Sequence, residues 1–130
     1  MGHLPEDTKL TVRIGNIELG AGKPLVIIAG PCVIESWDVT YNTALALRDL
    51  SRQLGFPFIF KSSYDKANRT SIDSFRGPGM EAGLKMLSEI KSRLGLCVLS
   101  DVHDAAQCAP APRSARRRCR RTSAWCGRSL

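Results

Sequence analysis

The chain has 130 residues, enough for one domain or a piece of a larger one. Its hydrophobic content of 43% is that of a core-forming protein rather than a disordered one. No apolar run approaches the length of a membrane-spanning helix, and the first 15 residues, MGHLPEDTKLTVRIG, have no signal-peptide core, so a cytoplasmic protein without membrane partners is expected.

The net charge of +7 is not spread over the chain. Residues 113–130, RSARRRCRRTSAWCGRSL, hold seven arginines and no acid. The remaining 112 residues hold 12 Lys+Arg against 12 Asp+Glu, a net charge of zero. The body therefore lacks the electrostatic footprint of a nucleic-acid binder, and the tail, without apolar period, reads as a solvated and disordered segment. The five cysteines form no C-x-x-C pair and no zinc-site spacing, so reduced thiols are expected, with Cys97 a buried apolar residue between Leu96 and Val98.

Taken in chain order, LTVRI and NIEL meet at Gly15-Asn16 and predict a small β-hairpin. LVIIAG follows, and its continuous apolarity predicts a strand buried on both faces. Ser36 can cap the next helix, in which Ala44, Leu47, Leu50 and Leu54 share an arc of about 120° and which Gly55 stops. FPFIF, from Phe56, predicts a second buried strand. Residues 80–94 predict a second helix with Met80, Leu84, Leu87, Ile90 and Leu94 on one stripe and Gly95 at its end. LCVLS predicts a third strand, and DVHDAAQCAPA begins like another helix. A hairpin followed by βαβαβ and the start of a helix is the pattern of a parallel α/β sheet or barrel.

In such folds chemistry gathers at the C-terminal ends of the strands. Three polar clusters fall there: Gly30-Pro31-Cys32 with Glu35, residues 61–79, and Asp101-Val102-His103. The second, KSSYDKANRTSIDSFRGPG, is the densest. Lys61 ends a strand, and Lys66, Arg69 and Arg76 add three cations in the following loop. Ser62, Ser63, Asn68, Thr70 and Ser71 supply neutral hydrogen-bonding groups. Arginine forks and lysine point charges in one βα loop are suited to small polyanions. The competing explanation is a solvated loop whose charges Asp65 and Asp73 balance.

IIAGPCVIES at 27–36, FPFIFKSSYDKANRTSIDSFRGPG at 56–79 and SDVH at 100–103 resemble the 3-deoxy-D-manno-octulosonate 8-phosphate synthases, also called 2-dehydro-3-deoxyphosphooctonate aldolases. The likeness runs from about residue 10 to residue 112. It implies a (β/α)8 barrel capped by an N-terminal hairpin, a homotetramer, and condensation of phosphoenolpyruvate with D-arabinose 5-phosphate in lipopolysaccharide biosynthesis. By motif position, Lys61 and Lys66 fall on the phosphoenolpyruvate side, while Asn68, Arg69 and Thr70 fall on the arabinose 5-phosphate side. Lys66 and Asn68 fall at catalytic positions. Cys32 stands where the metal-dependent branch has its cysteine ligand for a divalent Zn, Fe or Mn ion.

Beyond residue 112 the sequence leaves this pattern. A complete barrel takes about 250 residues, and residues 1–112 provide three strands of eight and one metal ligand of four. The expectation is an incomplete barrel with a basic tail at 113–130, a reading-frame change near residues 110–113, and a chain that holds no metal and is inactive as it stands. The alternative is a non-enzymatic fragment whose arginine tail engages nucleic acid or acidic partners. If the tail is irrelevant to the body, deleting residues 113–130 leaves the cooperative melting of residues 1–112 unchanged by circular dichroism. Loss of a cooperative transition would contradict this.

Overall fold

The computed structural model describes residues 11–66, 75–103 and 106–108. Strands β1 (Val12–Ile14) and β2 (Ile17–Leu19) form the antiparallel hairpin, with Arg13 opposite Glu18. Strands β3 (Ile27–Ala29), β4 (Phe58–Lys61) and β5 (Cys97–Leu99) form a parallel sheet in the order β3-β4-β5, with Ile28 level with Ile59 and Phe60 level with Val98. An isolated Val33–Ser63 bridge carries the β3–β4 pairing beyond the strand ends. Helices α1 (Trp37–Leu54) and α2 (Met80–Leu94) cross between successive strands. This is a mixed α/β architecture with a parallel βαβαβ unit.

Both helices begin and end where the sequence provides a physical reason. Ser36 is extended and its hydroxyl accepts from the Val39 amide at 3.3 Å, capping α1. Gly55 and Gly95 end α1 and α2 in the left-handed region, at φ 72° and 64°, and their amides return to the carbonyls of Ser51 and Lys91. The tight αβ connections into β4 and β5 follow directly from these two stops.

The core lies between the sheet and the two helices. Alternation along the strands sends Phe58 and Phe60 of β4, and Leu96 and Val98 at β5, to one face. There they meet Ala44 of α1 and Leu87, Ile90 and Leu94 of α2, all buried. Tyr64 and Ile34 close this core at the C-terminal end of the strands, where Gly83 of α2 packs directly on the Tyr64 backbone and Cβ. The hairpin adjoins the other face, where the Cys97 thiol stands 3.5 Å from the Ile14 carbonyl oxygen.

Two expectations change. The strand from LVIIAG is not buried on both faces: Ile28 is 49% exposed and Leu25 78% exposed, because β3 is an edge strand and the helices cover only one side of the sheet. On α1 the buried positions are Thr40, Ala44 and Ser51, whereas Leu50 and Leu54 are 44% and 65% exposed. The helix sits with Trp37, Tyr41, Leu45 and Leu47 against the core, rotated from the stripe that the leucines suggested. After β5, a 3-10 turn spans Ala106–Cys108, and the rest of the segment expected to start a helix lies outside the described residues. No closed barrel is present among the described residues, and the tail at 113–130 lies outside them.

The Gly83 contact gives a test. Alanine is favoured over glycine in a helix by about 1 kcal/mol. A Cβ at residue 83, however, would collide with the Cβ of buried Tyr64 and meet Ile34 Cδ1 at 3.4 Å. Overpacking of this kind costs about 1–3 kcal/mol, and the obstacle is near the backbone, where it cannot swing away. Gly83→Ala should therefore lower the thermal midpoint, while Ser88→Ala on the exposed side of α2 should not. A raised midpoint for Gly83→Ala would refute the packing argument.

Candidate functional site at the C-terminal ends of the strands

β4 delivers Lys61 to the end of the sheet, as its position at the last strand residue predicts. Side chains two apart on a strand share a face, so Lys61 and Ser63 lean together. Lys61 Nζ donates to Ser63 Oγ at 2.8 Å, and Lys66 Nζ donates to the same oxygen at 2.8 Å. The two ammonium groups are thus no further apart than twice 2.8 Å. Ser63 is fully buried, which fixes its position.

Asp101, just past β5, balances one of these charges. Lys61 Nζ lies 3.4 Å from Asp101 Oδ1, an ion-pair separation without a well-aligned hydrogen bond. Burial pushes the Asp101 carboxyl up, but the Ser63 hydroxyl, its own backbone amide, and the charges of Lys61 and Lys66 more than offset this, so its pKa lies below the usual 3.8. His103 completes the cluster. Its Nε2 is 3.8 Å from Asp101 Oδ2 and 2.9 Å from the Asp65 carbonyl oxygen. A carbonyl oxygen only accepts, so this contact calls for a proton on Nε2.

Two further devices position these groups. Gln107 Oε1 accepts from the Tyr64 hydroxyl at 2.8 Å and from the His103 amide at 2.7 Å, tying the end of β5 to the end of β4. The segment after Lys66 is pinned at both ends: the Lys66 amide donates to the Arg76 carbonyl at 2.7 Å, and Arg76 grips Asp65 through Nε at 2.9 Å and Nη2 at 2.8 Å. The Gly30-Pro31-Cys32 element packs on the same rim. The Ser62 hydroxyl donates to the Pro31 carbonyl at 2.9 Å, and a Cβ on Gly30 would run into the Lys61 carbonyl.

The structure brings Lys61 and Lys66 together, with Asp101 and His103 beside them. It does not leave Arg76 available to a ligand, since Asp65 neutralises it, as the balanced-loop explanation had it. Asn68, Arg69 and Thr70 lie outside the described residues. Cys32 is exposed, and no group of three His, Cys, Asp or Glu side chains suited to a metal exists among the described residues. The described residues alone therefore do not fit a divalent metal. Ser63 was expected only as one of several neutral hydrogen-bonding groups, not as the bridge between the lysines, and Gln107 was not singled out at all. The i, i+2 and i, i+3 spacing of Ser63 from the two lysines is a signal that could have found it, whereas nothing local marks Gln107.

The sequence model of the DAHP synthetase I family matches residues 5–115. Over 100 residues the chain is 58% identical to the 2-dehydro-3-deoxyphosphooctonate aldolase of Trichlorobacter lovleyi, covering 77% of this chain and 37% of that protein. It is 54% identical over 101 residues to the protein of the same name from Desulfosudis oleivorans, covering 78% and 36%. It is 55% identical over 102 residues to that of Desulfatibacillum aliphaticivorans, covering 78% and 37%. The chain thus spans little more than a third of the length of these curated relatives. Because the family match takes in both helices and all five described strands, the chain belongs to the DAHP synthetase I family.

Proposed function

We propose that the chain carries part of the active site of a 3-deoxy-D-manno-octulosonate 8-phosphate synthase, a cytoplasmic homotetrameric (β/α)8 barrel of lipopolysaccharide biosynthesis. The reaction joins phosphoenolpyruvate to D-arabinose 5-phosphate. Carbon 3 of phosphoenolpyruvate attacks the sugar aldehyde, water adds at carbon 2, and phosphate departs. The names of the relatives, all 2-dehydro-3-deoxyphosphooctonate aldolases, support this choice of substrates.

The observation that carries the proposal is the convergence of Lys61 and Lys66 on one buried hydroxyl at the C-terminal end of β4. Two ammonium groups so close repel each other, and Asp101 compensates only one. A small anion settling beside Lys66 would relieve that imbalance, and a carboxylate or phosphate of phosphoenolpyruvate has the right charge. In this scheme Lys61 and Lys66 hold phosphoenolpyruvate, Asn68, Arg69 and Thr70 hold arabinose 5-phosphate, and Lys66 and Asn68 also act in catalysis. Cys32 would be one ligand of a divalent Zn, Fe or Mn ion, which would polarise the reacting groups in a protein that supplies the other ligands.

Assay of phosphate release from the two substrates tests the scheme. The 130-residue chain is expected to give none. A chain continued past residue 112 in the reading frame of residues 1–112 is expected to be active and sensitive to chelators. In that protein Lys66→Ala or Arg69→Ala should lower the rate by about 10²–10³, the usual loss for one preorganised charge contact. Turnover by the 130-residue chain would overturn the inactivity, and full activity of Lys66→Ala would overturn the site.

The lowered pKa of Asp101 adds a prediction for this chain itself. A depressed carboxylate contributes stability that is present above its ordinary value of 3.8 and is lost as pH falls through the lowered one. Asp101→Asn should therefore melt below the wild type at neutral pH, and the two should converge in strong acid. A gap that stays constant with pH would show that the carboxylate charge is not what matters.

A further inference from the structure

At the end of the sheet opposite the lysines, a cavity of about 620 Å³ opens between the hairpin and the C-terminal half of α1. Four cations line it, Arg13, Lys23, Arg48 and Arg52, against a single lining carboxylate, Glu18. Glu18 is shared: Lys23 Nζ reaches one of its oxygens at 2.5 Å and Arg13 Nη2 the other at 3.1 Å. Arg48 has only 20% of its side chain exposed, and its Nε and Nη2 are engaged by Oδ1 of the adjacent, more exposed Asp49 at 2.9 and 2.7 Å, a carboxylate that a bound polyanion would have to displace. Arg52, one turn further along α1, has no carboxylate partner among the described residues.

The simpler account is that cations at a helix C-terminus answer the helix dipole. That accounts for Arg52, at a few tenths of a kcal/mol up to about 1 kcal/mol. It does not account for Arg48 being sunk into the wall one turn earlier, since like charges at i and i+4 repel. Nor does it account for Arg13 and Lys23 arriving from the hairpin side. Pro57, Phe58 and Leu96 add apolar wall to the same cavity.

We propose that this cavity is a second anion site, separate from the one at the C-terminal rim, and that it takes a small polyanion of the phosphate type with two or more negative charges. Two arginine forks one helical turn apart suit the tetrahedral oxygens of phosphate better than a single carboxylate. The cavity size is that of a small-molecule site. Occupancy would tie the hairpin to α1 and β4 through shared charge, giving the N-terminal end of the sheet a ligand-dependent stability.

Pyrophosphate is a suitable probe, tested on the full 130-residue chain at physiological ionic strength. Phenylglyoxal modification, read arginine by arginine by peptide mass, should slow at Arg48 and Arg52 when pyrophosphate is present, relative to Arg76 and to the arginines of 113–130. Calorimetric titration should show that Arg48→Gln/Arg52→Gln weakens binding by about tenfold or more, the loss of at least one charge-assisted contact. Lys61→Ala/Lys66→Ala, which removes the cations of the rim, should leave that component in place. Unprotected Arg48 and Arg52 in the wild-type chain would overturn the second site without any variant having to fold. Binding lost in the rim variant and kept in the arginine variant would assign the polyanion to the lysines instead.

Discussion

β4 is hydrogen-bonded along both edges, to β3 and to β5, and this double pairing sets the position of almost everything else. Its two phenylalanines face the helices, so burial of Phe58 and Phe60 holds α1 and α2 against one side of the sheet. Fixing a three- or four-residue strand by hydrogen bonds alone would be marginal, since each net bond contributes only about 1 kcal/mol. The aromatic burial on one side is what makes the ladder persist. Lys61 and Ser63 at its end then inherit the rigidity of the core directly, without an intervening flexible element. A cation held in this way has little entropy left to lose on meeting an anion.

The same strand explains why much of the architecture could be read from the sequence. FPFIF, with Gly55 before it and Lys61 at its end, states a strand, its start and the polar residue it presents. Gly95 and Ser36 state helix ends because their roles rest on local backbone geometry. Exposure could not be read in this way. Ile28 and Leu25 look like core residues, but whether they are covered depends on which elements lie across the sheet, and that information is not in their neighbours. Leu50 and Leu54 misled for a related reason: α1 buries small and polar residues, Thr40, Ala44 and Ser51, and leaves these two leucines exposed.

Of the candidate site, the lysines and the rim position of Asp101 and His103 were legible, because a strand end and a short motif place them. The fate of Arg76 was not. Its pairing with Asp65 spans a sequence separation that a local pattern does not score, and an arginine in a basic loop looks equally suited to a ligand and to a carboxylate. Gln107 joins Tyr64 and His103 across more than forty residues of chain on one side, so only the folded sheet brings them together. Polar networks built on long-range contacts are the part of a site that sequence patterns conceal.

The pinning of residues 66 and 76 to each other has a consequence for Lys66. The Asp65–Arg76 fork and the Lys66–Arg76 backbone bond lock both ends of the intervening segment onto the sheet. What lies between them can change in length or composition without moving Lys66, because the anchorage is upstream and downstream of the change. The position of Lys66 thus depends on Asp65 and Arg76 rather than on the stretch between them, and loss of the Arg76 side chain would release it.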